Sequence, residues 1–69
     1  MTYKEILAQR LRELRKDAGL TQTQIAQKLN ITQSAYAYYE CAKKDPSIET
    51  LIKLAEINKT SIDYLVGRY

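Results

Sequence analysis

With 69 residues, the chain has room for one domain, and a domain of this size buries only about 60% of its unfolded surface. A single cysteine and no histidine exclude an internal disulfide and an ordinary zinc site, so apolar packing must supply the core. The 45% hydrophobic and 28% charged content excludes a disordered tail, and the net charge of +3 leans toward an acidic partner such as nucleic acid.

The pattern predicts five short helices and no strand. Helix one opens on Thr2-Tyr3-Lys4-Glu5, a capping box in which Thr and Glu satisfy backbone donors reciprocally. Leu7, Leu11, Leu14 and Ala18 recur at helical spacing and predict one buried stripe, and Gly19 suits a left-handed close. Thr21-Gln22-Thr23-Gln24 is a second capping box, and Ile25, Ala26 and Leu29 form the inner face of helix two. Asn30 follows as a left-handed turn residue, Ile31 points inward, and Thr32 caps helix three. On that helix Tyr36 and Tyr39 share the core face, Glu40 borders it, and Ser34, Ala37, Tyr38 and Cys41 share the outward side.

The segment from Ala42 to Pro46 reads as a polar loop carrying Lys43, Lys44 and Asp45. Ser47 caps helix four, whose apolar positions are Ile48, Leu51, Leu54 and Ala55, with Glu49 and Lys53 as an exposed pair. Ser61 caps a final helix with Ile62, Leu65 and Val66 buried. Ile57, Ile62, Tyr64, Leu65, Val66 and Tyr69 exceed what one short helix needs for its own core. They are candidates for a two-fold interface, with closure of the domain's own core as the alternative, preferred for Ile62 and Leu65.

Little here supports catalysis. Histidine, the commonest general acid and base, is missing. Gly19 and Gly67 cannot form a phosphate-cradling loop, Cys41 has no histidine to activate it, and the carboxylates show no metal-binding spacing. No cofactor, metal or small-molecule ligand is expected. The longest apolar run, Ala35 to Tyr39, falls far short of the roughly 20 residues that span a membrane. No leader opens the chain, and a lone thiol fits the reducing cytoplasm.

Two short helices joined by a tight turn outline a helix-turn-helix. The supporting residues are Leu14-Arg15, Gly19-Leu20-Thr21-Gln22, Ile25-Ala26, Leu29, Ile31-Thr32-Gln33-Ser34, Tyr39-Glu40, Pro46-Ser47-Ile48-Glu49-Thr50-Leu51, Leu54-Ala55 and Ser61-Ile62-Asp63-Tyr64-Leu65. On these the chain resembles the Cro/lambda-repressor type of helix-turn-helix domain, the XRE family of bacteria and their phages. The resemblance runs from about Leu11 to Gly67 and implies a compact all-α, five-helix domain over residues 1–69, with helices two and three forming the motif. It also implies sequence-specific binding of double-stranded DNA, usually by a homodimer.

The resemblance assigns roles residue by residue. Gln22 opens the motif's first helix, where the family contacts phosphate, and a helix N-terminus suits an anion. Gln33 and Ser34 open the recognition helix, the end that enters the major groove. Gln can bond adenine bidentately, and Ser can serve either base type. Tyr38 is one turn further along and could meet a thymine methyl or a phosphate; Ala37 is a further candidate for a thymine methyl. Lys43 and Lys44 follow as phosphate contacts. Arg15 and Glu40 match an inter-helix ion pair of the family. The plainer reading makes Gln33, Ser34, Tyr38 and the lysines solvated surface, with Gln22 only a cap residue. Lys28 and Arg10 could extend the basic surface.

One departure stands out. The family commonly has Gly where this chain has Ala42, so helix three is expected to run longer or the loop to differ, which leaves Lys43 and Lys44 unplaced. The expected function is transcriptional regulation, read as repression, by a dimer occupying a partly palindromic operator. The chain is then either a minimal Cro-like regulator or the DNA-binding half of a longer repressor. The rival reading is a protein-interaction module such as an antitoxin, which the apolar C-terminal residues allow.

Overall fold

A computed structural model describes residues 1–68. Among them the chain forms five helices and no strand: α1 (Tyr3–Asp17), α2 (Gln22–Leu29), α3 (Gln33–Glu40), α4 (Ile48–Ile57) and α5 (Ile62–Val66). Each helix starts on a hydroxyl cap. Thr2, Thr21, Thr32, Ser47 and Ser61 each accept the backbone N–H three residues on. Thr2 and Thr21 complete the reciprocal boxes with Glu5 and Gln24.

The helices also close alike. Gly19, Asn30, Ala42, Lys59 and Gly67 all take positive φ. After each, the next N–H returns to a carbonyl of the preceding helix, as in Leu20 to Arg15 at 3.1 Å and Lys43 to Tyr38 at 2.9 Å. Ala42 therefore keeps the left-handed turn, with φ of 60°. Helix three does not run longer; the two backbone bonds of the turn hold an alanine in a conformation that glycine adopts without strain.

The stripe of α1 packs on α3 and α5, α2 on α3 and α4, and α4 on α5. Leu7, Leu11, Ile25, Ala26, Leu29, Tyr36, Tyr39, Leu54, Ala55 and Leu65 form the core. Tyr36 and Tyr39 meet edge to face, 6.4 Å between ring centroids. They stand in for the Phe and Trp that the chain lacks.

Three expectations need correction. Ala18 lies past the end of α1 and is exposed, because the stripe ends with the helix. Ile48 is 77% exposed rather than inward, since the first turn of α4 projects beyond the elements it packs against. Arg10 does not extend the basic surface. Its guanidinium lies over the Tyr64 ring, 4.2 Å from the centroid, and donates to the Tyr64 carbonyl, tying α1 to α5.

Candidate nucleic-acid interface

The turn between α2 and α3 is fixed from three sides. Asn30 takes the left-handed conformation, Ile31 packs against the core, and Thr32 caps α3 through the Ala35 N–H at 3.1 Å. The two helices are thereby held as one unit. Burial of Tyr36, Tyr39 and Glu40 then decides which edge of α3 faces outward. Gln33, Ser34 and Tyr38 are exposed along it, with Tyr38 at 47%, while Ala37 is half-buried.

Behind this edge lies a polar network that crosses three helices. Arg15 on α1 grips the Glu40 carboxylate with two bonds, 2.7 Å from Nε to Oε2 and 3.2 Å from Nη2 to Oε1. Arg15 also donates to the Leu20 carbonyl at 3.0 Å. Gln22 Nε2 donates to Glu40 Oε1 at 3.1 Å, and Gln33 Nε2 donates to Gln22 Oε1 at 2.6 Å. The Tyr36 hydroxyl completes the set on Glu40. Arg12 donates to the Glu40 backbone carbonyl, placing a cation at the C-terminal end of α3.

The electrostatics follow from this geometry. Burial pushes the Glu40 carboxyl upward, but the donors Arg15, Tyr36 and Gln22 outweigh it, and its pKa lies below the ordinary value. Burial, followed by the bond to ionised Glu40, drives the Tyr36 hydroxyl pKa far up, so it stays a donor. The bond to Glu40 raises Arg15 further. No buried side-chain polar atom among the described residues lacks a partner.

The network brings together Arg15, Glu40, Gln22 and Gln33. Both amide ends of Gln22 are engaged, which leaves one side-chain N–H and the backbone N–H groups of the first turn for an outside acceptor. Lys43 and Lys44 are exposed, and the closing bond from the Lys43 N–H fixes where the loop leaves α3. Cys41 is exposed and its thiol donates to the Ala37 carbonyl. Lys28 is exposed on the last turn of α2.

Several contacts were not visible in the sequence. Tyr3 donates to Asp45 at 2.9 Å, and Lys4 lies 3.8 Å from it, so the start of α1 anchors the loop bearing the lysines. The Gln22–Gln33 bond spans eleven residues, and no helical or strand period relates those positions. Arg12 and Arg10 find backbone carbonyls of distant helices, which no sequence spacing reveals.

A capped two-helix unit with an exposed second-helix edge, carried on a small helical core, defines a helix-turn-helix domain. A family model described as helix-turn-helix matches residues 11–65, and the chain belongs to that family, of the Cro/repressor (XRE) type. Over 59 residues it is 44% identical to the uncharacterized HTH-type transcriptional regulator YobD of Bacillus subtilis, covering 86% of this chain and 53% of that one. It is 44% identical over 62 residues to the HTH-type transcriptional regulator ImmR of the same species, covering 90% and 49%. The cryptic phage CTXphi transcriptional repressor RstR of Vibrio cholerae shares 36% identity over 63 residues, covering 91% and 56%. The chain spans about half the length of the curated relatives it matches.

Among the described residues no helix is long and apolar enough to cross a membrane, and no group of metal-ligating side chains is assembled.

Proposed function

We propose that this domain binds double-stranded DNA sequence-specifically, as a homodimer on a partly palindromic operator, and represses transcription in the cytoplasm by occupying that site. The observation that carries the reading is the exposed start of α3, where Gln33 is held against a buried ion pair through Gln22. A preorganised polar edge on a rigid helix is what major-groove readout requires. Gln33, Ser34 and Tyr38 meet base edges, and the half-buried Ala37 offers its methyl. Backbone N–H groups at Gln22 and the side chains of Lys43 and Lys44 meet phosphate. The similarity to transcriptional regulators and a phage repressor supports the same reading.

Size and the exposed face of α4 support the dimer. One copy measures 28 Å along its longest axis, while successive major-groove faces lie roughly 34 Å apart, so a two-fold operator needs two copies. Ile48 and Ile52, 77% and 44% exposed, stand one turn apart on α4. Beside them Glu49 and Lys53 form a pair at 3.8 Å. Two such helices packed antiparallel about a two-fold axis set isoleucine on isoleucine and Glu49 near Lys53 of the second copy. We prefer this face to the C-terminal one, where Ile57 and Ile62 pack against the core, Leu65 is fully buried, Tyr64 is engaged with Arg10 and Val66 is half-buried. Tyr69 lies outside the described residues. Among the described residues, the apolar C-terminal side chains on which the protein-interaction alternative rests are buried or half-buried.

Salt titration of duplex binding tests the reading. The log of the affinity falls with the log of salt by about 0.9 for each phosphate neutralised. Lys43→Ala and Lys44→Ala each reduce that slope by about one and leave base preference intact. Binding that is insensitive to salt would overturn it.

A further inference from the structure

We infer that Tyr3 and Lys4, on the first turn of α1, withhold the Asp45 carboxylate from its neighbours Lys43 and Lys44 and so keep two cations free for DNA phosphate beside α3. The inference rests on the reading of Lys43 and Lys44 as phosphate contacts. Asp45 directly follows the two lysines, and a carboxylate on a short loop can reach an ammonium one or two residues away. It turns to α1 instead. Asp45 Oδ2 accepts from the Tyr3 hydroxyl at 2.9 Å, and Oδ1 lies 3.8 Å from Lys4 Nζ. Among the described residues neither Lys43 nor Lys44 pairs with a carboxylate, and both are exposed.

The same contact holds the loop in place. At one end Ala42 takes the left-handed turn and the Lys43 N–H bonds the Tyr38 carbonyl at 2.9 Å. At the other Pro46 fixes its own φ and Ser47 caps α4 through the Thr50 N–H at 3.1 Å. The anchor on Asp45 falls between these ends, one residue from Lys44. A loop already ordered loses less freedom when its lysines meet phosphate. Loose, the carboxylate would either fold onto a lysine and cancel one cation or face the phosphates as a like charge. Lys4 supplies its counter-charge instead. Tyr3 and Lys4 are thus positioning residues that act through Asp45.

The contact is built for position rather than for stability. Tyr3 is 57% exposed, and Lys4 and Asp45 meet near the surface, where such pairs add little to folding. The bond to Asp45 raises the Tyr3 hydroxyl above its ordinary pKa, so the phenol stays a donor at neutral pH. Its loss therefore shows in binding and leaves melting nearly untouched.

The test uses Tyr3→Phe, which removes the hydroxyl, keeps the ring and changes no charge. Affinity is measured over a salt series on a duplex obtained by selection and on an unrelated duplex. The proteins are wild type, Tyr3→Phe, Asp45→Ala, the paired variant Lys43→Ala with Lys44→Ala, and Tyr3→Phe combined with each. Tyr3→Phe is expected to bind both duplexes about threefold more weakly, with a shallower salt dependence and an unchanged melting temperature. It is expected to cost no further affinity once Asp45 or the two lysines have been replaced. A loss that persists in the paired lysine variant would overturn the proposal, because a direct DNA contact by Tyr3 or a purely structural role predicts it. A loss confined to one duplex would overturn it too. Unchanged affinity with Tyr3→Phe, while the paired lysine variant flattens the salt slope, would overturn the proposal and leave the phosphate contacts standing. A salt slope unchanged in the paired lysine variant would remove both.

Discussion

Glu40 shows how much one buried carboxylate can organise. It ties α1, α2 and α3 together through Arg15, Gln22 and its own helix. Replacing it with Gln leaves Arg15, whose side chain is only 15% exposed, without its counter-charge. Removing one partner of a buried pair costs about 3 kcal/mol. Each kcal/mol lowers the melting temperature of a domain this size by roughly 4–8 °C, so Glu40→Gln is expected to melt more than about 10 °C lower. The acid response separates this charge from mere packing. The pKa of Glu40 is lowered on folding, so its contribution is complete above the unfolded value and is lost as the pH falls through the folded one. Below about pH 4.5 wild type therefore loses stability more steeply than Glu40→Gln. Glu5, lowered by its bonds to Thr2, contributes a slope common to both proteins. Equal acid limbs in urea unfolding would contradict the account. At this scale the sequence reveals the Arg15–Glu40 pair only through family resemblance. The Tyr36 contact lies one helical turn from Glu40 and was within reach of spacing; the Gln22 contact comes from another helix and was not.

Element boundaries were legible because they rest on local chemistry. A hydroxyl cap bonds three residues ahead, so Thr2, Thr21, Thr32, Ser47 and Ser61 could be read directly. Helix closure is local too, yet Ala42 misled, because two backbone bonds hold a left-handed turn that its residue type disfavours. The strain of that conformation is about 1–2 kcal/mol, against about 0.4–1 kcal/mol gained by glycine's extra freedom when unfolded. Ala42→Gly is thus expected to stabilise the domain by about 0.5–1 kcal/mol, read in denaturant unfolding. The reverse change at Gly19 supplies the control: an added Cβ there meets nothing within 4 Å, so Gly19→Ala carries the conformational cost alone. A destabilised Ala42→Gly would show that the alanine methyl matters more than the turn. Amphipathic spacing, in contrast, marks a helix face without saying where its neighbours end. That is why Leu51, Leu54 and Ala55 were read correctly as packed and Ile48 was not.

For the whole molecule, the proposed dimer ties assembly to the site. Ile48→Glu and Ile52→Glu alter an exposed face, so the melting temperature of the monomer should hold nearly constant. Binding to a two-fold site should weaken by about tenfold or more, since the second copy no longer gains from the first. Sedimentation on the DNA checks this directly; an unchanged two-to-one complex would place the interface elsewhere. The proposed contact between two copies lies beyond any single-chain pattern, and the exposed apolar residues became identifiable only once the core had been assigned.

The central claim, that the start of α3 reads a duplex sequence, is tested most directly by selection from a random duplex library with wild type and Gln33→Ala side by side. The account predicts a two-fold motif for wild type and loss of one base-pair preference per half-site for the variant. No enriched motif, or the same motif from both proteins, would contradict it.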